Sequence, residues 1–267
     1  MIAVRPPGPG RLRAPEKADR QDGRRGNCRV NEVIDQIVKT GRVTDAEGQV
    51  YEPVSAVSLE SGGLLYDFVR RVKPRSTLET GMAYGMSTLF ICQALQDNGQ
   101  GCHAAIDPFQ ACEFKSVGVL NVERAGLSHR FRLHQAASDV VLPQLCAEGR
   151  TLDFAFVDGW HLFDFTLVDF YYIDKLLEVG GHVAFDDMWL PAVRKVVSFV
   201  LRNKPYKLVR TTSRYPAPLW KRTLRIGRRA VQDPMERGWR LKFVPQNIVV
   251  LQKTAADTRT WDFHRSF

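Results

Sequence analysis

Two hydrophobic patterns alternate along the chain. Short segments predict strands at residues 75–79, 102–106, 131–134, 152–157, 182–185, 206–209 and 247–252. We expect the strand at 75–79 to be buried, and the one at 152–157 has a nearly continuous apolar run. Segments with apolar residues three or four positions apart predict helices at residues 30–40, 58–72, 88–95, 121–127, 140–145, 163–177 and 192–201.

The order of these segments predicts the fold class. Strand and helix alternate five times before a closing pair of strands, which indicates an α/β, doubly wound, Rossmann-like sheet of seven strands. We expect it to be mostly parallel with an antiparallel edge strand. In the helix at 163–177 we expect Asp169 and Asp174 on the polar side, and Gly180-Gly181 after the helix end.

Composition divides the chain into three parts. Residues 1–28 are rich in Pro, Gly and Arg, which predicts a disordered basic tail. Residues 29–75 form an N-terminal helical cover segment, and residues 76–267 form the main domain, with a basic insertion at about 210–245. No apolar run is long enough to span a membrane. Five scattered cysteines without a C-x-x-C pair favour a reducing cytoplasm over a zinc site or disulfides.

The positive charge is concentrated in two blocks. The chain carries a net charge of +9, to which residues 1–29 contribute +5 and residues 202–230 contribute +10. Such blocks can contact nucleic acid or acidic partners, but neither interleaves the aromatic residues of an RNA-stacking surface. Nucleic-acid binding is therefore possible but not favoured, and a solubilising role or an acidic substrate explains the charge equally well.

A glycine-containing turn joins the first predicted strand of the main domain to its helix. It has the pattern Glu79-x-Gly81-x-x-x-Gly85-x-Ser87. Glycines allow the sharp turn, and the following helix N-terminus offers unpaired N–H groups. The spacing is not the G-x-G-x-x-G fingerprint of dinucleotide binding, which disfavours a nicotinamide dehydrogenase. An acid beside the turn favours an ammonium group over a phosphate.

This stretch resembles motif I of the class I S-adenosylmethionine (SAM)-dependent methyltransferases, especially the metal-dependent O-methyltransferases of the catechol and macrolide-sugar types. The resemblance covers roughly residues 55–253. It implies that SAM is the cofactor, and it places Ser58–Ser61 where a segment that covers the cofactor would lie, with an ordinary helix-capping turn as the alternative. The residues expected to bind the cofactor are Glu79, Gly81, Met82, Ala83, Tyr84, Gly85, Ser87, Asp107, Phe109, Ala137, Ser138, Asp158 and Trp160.

Asp107 ends the second strand, one strand–helix unit after Glu79. A carboxylate there can accept paired hydrogen bonds from the ribose hydroxyls, and Phe109 can lie against adenine. The resemblance places the adenine edge at Ala137 and Ser138, although Gln135 stands where the family often has Gly.

Three acids end two neighbouring strands. Asp158 follows the fourth, and Asp186 and Asp187 follow the fifth. Carboxylates converging at one sheet edge repel each other unless a cation lies between them, and oxygen ligands suit Mg²⁺. The resemblance places metal ligands at these positions. We therefore expect a divalent metal site at Asp158, Asp186 and Asp187, with some of these acids acting as helix caps as the alternative.

His161 lies three residues after Asp158 and projects over the same edge. In the catechol-type enzymes a lysine in this place deprotonates the acceptor hydroxyl, and an imidazole is suited to that task near neutral pH. We expect His161 to be the general base in methyl transfer to a hydroxyl of a small molecule. The alternatives are an RNA methyltransferase and a noncatalytic binding protein of the same fold, and the insertion could pack across a homodimer.

Overall fold

The computed structural model of the chain describes residues 31–53, 57–213 and 246–267. The described residues form one compact unit, in which the N-terminal cover segment packs with the main domain. The expected disordered tail and most of the basic insertion lie outside the described residues.

Nine strands occur in the described part of the chain. Two short ones, β1 (Val43–Thr44) and β2 (Val50–Tyr51), pair as an antiparallel hairpin. The other seven form one sheet. The strands are β1 Val43–Thr44, β2 Val50–Tyr51, β3 Ser76–Thr80, β4 Cys102–Ile106, β5 Phe131–His134, β6 Leu152–Val157, β7 Leu177–Phe185, β8 Tyr206–Ser213 and β9 Gln246–Lys253.

The first two helices begin at residues whose side chains cap the helix N-terminus. Asn31 caps α1 by accepting a hydrogen bond from the N–H of Val33, and Ser58 caps α2 through the N–H of Ser61. The helices are α1 Glu32–Thr40, α2 Leu59–Val72, α3 Met86–Asn98, α4 Val117–Arg124, α5 Ser138–Ala147, α6 Phe163–Leu176 and α7 Pro191–Asn203.

The large sheet has the strand order β5-β4-β3-β6-β7-β9-β8. The pairings from β5 to β7 are parallel, and both pairings of β9, with β7 and with β8, are antiparallel. The doubly wound sheet with an antiparallel edge is confirmed. The order changes direction between β3 and β6, and ligands of such sheets bind beyond the carboxyl ends of the strands at this switch point.

The core lies on both faces of the central strands. Phe154 and Phe156 of β6 are completely buried, as expected for a strand covered by helices on both sides. On the other face, Val183 and Phe185 of β7 belong to an apolar cluster with Ala155 and Val157 of β6. The strands that carry the candidate site are thus held rigidly by packing.

Two predicted boundaries are wrong. The helix predicted at residues 121–127 is α4, which begins at Val117 and gives way to Gly126 in a left-handed conformation. Gly180-Gly181 does not follow a helix end, because α6 ends at Leu176 and β7 begins at once. The two glycines lie in an irregular part of β7, where the register shifts between Leu152 and Phe154.

The prediction for the polar side of α6 is also wrong. Asp169 and Asp174 are 3% and 5% exposed and face the protein interior. Val168 and Tyr171 are exposed instead. The reason is that both acids have polar neighbours in the interior. Asp174 accepts hydrogen bonds from Lys204 and Tyr206, and Asp169 lies beside Thr80 and Ser138 under the carboxyl ends of β3 and β6.

Candidate functional site

The turn after β3 lies against the turn after β6. Gly81 adopts a positive φ of 83°, and a Cβ at this position would lie 2.2 Å from the carbonyl oxygen of Asp158. Its N–H donates to the carbonyl of Ile106 at the end of β4. Only glycine allows both this conformation and this close approach, so Gly81 joins the ends of three strands.

The N-terminus of α3 opens onto the same place. Gly85 precedes the helix with a φ of 82°, and no side chain among the described residues caps its first turn. The first turn also contains no acid. Its unpaired N–H groups and the helix dipole therefore favour a carboxylate or other anionic group near Ser87.

Asp107, at the end of β4, holds the glycine turn in shape. Its carboxylate accepts hydrogen bonds from the backbone N–H groups of Met82 at 3.1 Å, Ala83 at 2.9 Å and Phe109 at 2.8 Å. The amide of Gln110 donates to the same carboxylate at 3.0 Å. Asp107 is therefore rigid and 3% exposed, with its carboxylate at the cavity wall.

A cavity of about 350 Å³ lies over the carboxyl ends of β3, β4, β5 and β6. It brings together residues from turns that are far apart in the sequence. Among the residues predicted to bind the cofactor, those that line it are Gly81, Met82, Ala83, Tyr84, Ser87, Asp107, Phe109, Ala137, Ser138, Asp158 and Trp160. The predicted base, His161, also lines it.

Glu79 and Gly85 do not line this cavity. Glu79 is completely buried, accepts a hydrogen bond from the Thr88 hydroxyl and lies 3.2 Å from Nε2 of His103. Successive side chains of a strand point to opposite faces, so Thr80 reaches the cavity and Glu79 points into the layer beneath α3. The structure therefore places Glu79 away from direct contact with a ligand in this cavity.

His161 lies between two of the predicted acids. Its Nε2 is 3.2 Å from Oδ1 of Asp158 and 3.3 Å from Oδ2 of Asp187. Asp187 has a positive φ of 49° and accepts a hydrogen bond from the indole N–H of Trp189 at 2.7 Å. When both carboxylates are ionised, the neutral tautomer that satisfies them carries its hydrogen on Nε2 and its lone pair on Nδ1.

Asp186 is the third acid and is almost completely buried. Its Oδ1 accepts a hydrogen bond from the side-chain amide of Asn247 on β9 at 2.9 Å. The same amide also donates to the Ser61 hydroxyl at 3.1 Å. Asn247 thus joins the first turn of α2, within the expected cover segment, to the acids at the end of β7.

The acids in this group repel each other. Desolvation raises the pKa of Asp158 well above its usual range, and the charges of Asp187 and Glu79 raise it further. Desolvation and the charges of Asp158 and Asp187 raise the pKa of Asp186 in the same way. Without a positive partner, the group resists full ionisation.

Some residues of the site were not predicted from the sequence. Thr80 and Asp169 line the cavity, Gln110 fixes the glycine turn by donating to the carbonyl of Ala83, and Asn247 holds Asp186. The apolar pattern contained a signal for Asp169, because it shares the helical face of the buried Thr166, Phe170 and Ile173. Thr80 ends β3, Gln110 lies in a turn and Asn247 lies in a distant strand, and spacing carries no such signal at these positions.

Part of the chain is similar in sequence to known methyltransferases. A family model described as a methyltransferase domain matches residues 78–188. A caffeoyl-CoA O-methyltransferase of Stellaria longipes is 31% identical over 48% of this chain and 53% of its own length. A catechol O-methyltransferase of Niastella koreensis is 29% identical over 43% of this chain and 51% of its own length. The chain thus spans about half the length of these two relatives.

Solved structures show the same fold at lower sequence identity. The O-methyltransferase TomG from Streptomyces achromogenes, in complex with SAM, aligns with a TM-score of 0.60 and 19% identity, over 84% of this chain and 90% of that one. An O-methyltransferase from Bacillus cereus, in complex with SAH, aligns with a TM-score of 0.59 and 16% identity, over 83% and 91%.

Proposed function

We propose that this chain is a class I SAM-dependent O-methyltransferase that transfers a methyl group from SAM to a hydroxyl of a small phenolic acceptor. The observation that carries this proposal is the single cavity that joins the glycine turn, Asp107 and His161. The acceptor class follows from the names of the relatives, which act on caffeoyl, flavonoid and catechol compounds.

The proposed position of SAM follows from the two ends of the cavity. The uncapped N-terminus of α3 and the turn from Gly81 to Ser87 receive the amino-acid portion. Asp107, already oriented by four donors, accepts from the ribose hydroxyls. Phe109 and Trp160, whose rings meet edge to face at 5.8 Å, flank the adenine.

The proposed reaction is one displacement. The acceptor oxygen attacks the methyl carbon, and the bond between that carbon and the sulfonium sulfur breaks with its electron pair retained by sulfur. The products are the methyl ether and S-adenosylhomocysteine. The acceptor proton passes to His161, whose Nε2 hydrogen is held by Asp158 and Asp187, so that Nδ1 is the basic nitrogen. Catalysis is otherwise a matter of positioning.

A divalent cation fits the chemistry of the acid group, although no group of three acidic, histidine or cysteine side chains in the described residues is already arranged around a metal position. Desolvation and mutual repulsion raise the pKa of both Asp158 and Asp186, and a hard cation relieves both effects. We propose that Asp158, Asp186 and Asp187 hold Mg²⁺ when it is bound. The ion would lower the pKa of an acceptor hydroxyl.

Replacement of His161 tests the catalytic proposal. We expect the wild-type protein with SAM, Mg²⁺ and a panel of catechols to form S-adenosylhomocysteine and a methylated phenol, both detected by mass spectrometry. His161→Gln should reduce kcat by about 10²- to 10⁴-fold, the usual contribution of a general base, with little change in the KM for SAM. His129→Gln, on the exposed surface, is the matched control and should leave kcat unchanged.

Each contrary result has a separate meaning. Wild-type activity that survives in His161→Gln would contradict the general-base assignment alone. Binding of SAM without turnover of any hydroxylated acceptor would instead favour the noncatalytic alternative. Activity unchanged by EDTA would remove the metal from the proposal.

A further inference from the structure

One side chain of β9 connects the turn that follows β7 to the start of α2. The amide of Asn247 donates a hydrogen bond to Oδ1 of Asp186 at 2.9 Å and another to the hydroxyl of Ser61 at 3.1 Å. These two partners match the two N–H donors of a side-chain amide. Asp186 and Ser61 are 5% and 1% exposed, so both hydrogen bonds end on buried acceptors.

The backbone of Asn247 holds the same turn at a second point, because its carbonyl accepts a hydrogen bond from the N–H of Met188 at 3.1 Å. Asp187 lies between the two points, with a positive φ of 49°, and its Oδ2 is 3.3 Å from Nε2 of His161. A left-handed conformation is strained for a residue other than glycine and persists where neighbouring contacts hold it. The contacts of Asn247 on both sides of Asp187 therefore help to fix the direction of its carboxylate.

The start of α2, where the other hydrogen bond ends, is itself anchored. The hydroxyl of Ser61 lies 3.1 Å from that of Ser58, which caps the helix. Gly62 lets the helix pack closely on α3, since a Cβ at this position would lie 2.2 Å from the ring of Phe90. Val57, just before the cap, lines the cavity. The hydrogen bond from β9 thus reaches a fixed helix whose preceding residue borders the ligand cavity.

The type of donor determines what the turn can bind. A neutral amide satisfies a buried carboxylate without cancelling its charge, whereas a lysine or arginine would form an ion pair with it. The charge of Asp186 therefore stays available to a cation. Side chains that hydrogen-bond to a metal-binding group orient it for the metal.

We propose that Asn247 is a positioning residue for Mg²⁺. It holds Asp186 and Asp187 in the orientation that binds the ion, and Ser61 holds the amide of Asn247 in place. This inference rests on the proposed function, because it takes the acids at the ends of β6 and β7 as the metal site.

Replacement of Asn247 by leucine tests this inference, because leucine keeps a similar shape and cannot donate. The full chain, saturated with S-adenosylhomocysteine, is titrated with Mg²⁺ by calorimetry. We expect Asn247→Leu to bind Mg²⁺ about 10- to 100-fold more weakly than the wild-type protein, the usual effect of removing such a partner. Its affinity for S-adenosylhomocysteine should be unchanged, because Asn247 does not line the cavity.

Two further variants test the assignment from other sides. Ser61→Ala removes one partner of the amide and keeps the hydrogen bond to Asp186, so it should weaken Mg²⁺ binding by a smaller factor. Asn247→Ser, whose side chain is too short to reach both partners, replaces Asn247→Leu if the latter does not fold, with the same expected result.

Asn203→Leu is the matched control. Asn203 is 4% exposed, and its side chain forms two hydrogen bonds of 2.8 Å with the backbone of Arg265. The same substitution therefore removes a similar number of hydrogen bonds at the end of α7. It should lower stability in urea and leave the affinity for Mg²⁺ unchanged.

The outcomes separate this inference from the proposed function. Equal Mg²⁺ affinities of the wild-type protein and the folded Asn247 variants would overturn the inference alone. A parallel loss of affinity for Mg²⁺ and S-adenosylhomocysteine would indicate a general structural role and would also overturn it. Wild-type protein that binds S-adenosylhomocysteine but no Mg²⁺ would overturn it together with the metal site. Failure to bind S-adenosylhomocysteine would overturn the proposed function itself.

Discussion

At the scale of single residues, the site depends on backbone positions that only certain side chains allow. Gly81 combines a positive φ with contact between two strand-end turns, and Asp107 fixes the turn that follows Gly81. Both residues were identified from sequence spacing, because glycine and a strand-end acid leave a local signal. Asp169 was not, because an acid in a helix is usually exposed and its burial arises from tertiary contacts.

Replacement of Gly81 separates backbone strain from steric conflict. Gly81→Ala should destabilise the fold by about 2–4 kcal/mol, because the new Cβ would lie 2.2 Å from the Asp158 carbonyl and the left-handed conformation adds about 1 kcal/mol. Gly99→Ala is the matched control, with a φ of 71° and no heavy atom within 4 Å, and should cost only about 1 kcal/mol. Urea unfolding measures both, and equal losses would contradict the steric account.

At the scale of elements, the sequence predicted the strands better than the contacts between elements. The predicted bounds of β4, β5 and β6 are exact, and β6 has the nearly continuous apolar run of a parallel strand that is buried on both faces. The start of β7 was predicted wrongly, because Gly180 and Gly181 look like the end of a helix in the sequence. In the structure these two glycines lie within β7, where its pairing with β6 shifts register. Periodicity contains no information on such pairing.

The contact between β7 and α2 should be sensitive to acid. His182 of β7 meets the ring of Phe68 edge to face at 5.0 Å, and desolvation, with nearby Arg71 and Lys207, lowers the His182 pKa from 6.5 to about 4. Above pH 6.5 the ring is neutral in both states. As the pH falls from 6.5 to 4 the unfolded chain takes up a proton that the folded chain does not, so the free energy of unfolding decreases.

His182→Gln removes this proton uptake. Because the ring is only partly buried, we expect the wild-type protein to lose about 1–2 kcal/mol more than the variant between pH 7 and pH 4.5, measured by urea unfolding at each pH. Parallel pH profiles for the two proteins would show that His182 does not contribute to acid sensitivity.

At the scale of the whole molecule, the order of strands decides where the site lies. The direction of the strand order changes between β3 and β6, and the turns after these two strands supply Gly81 and Asp158. The sequence predicted this architecture because each strand–helix unit has its own pattern. It did not predict that Asn247, on the antiparallel strand β9, would hold Asp186, since that contact joins residues 61 positions apart.

The remaining predictions concern the molecule's surroundings. Within the described residues no helix is long and apolar enough to cross a membrane. The two basic blocks that raised the possibility of RNA binding lie largely outside the described residues, so nucleic-acid binding, a homodimer and a cytoplasmic location stay predictions.

The most direct test of the central claim is calorimetric titration of the full chain with S-adenosylhomocysteine, in Mg²⁺ and then in EDTA. We predict a Kd of about 1–100 µM for the wild-type protein and loss of binding in Asp107→Ala. Asp153→Ala is the matched control, because Asp153 also accepts two backbone N–H bonds but lies at the opposite ends of the strands, and it should retain binding. Absence of binding by the folded wild-type protein in both buffers would contradict the account.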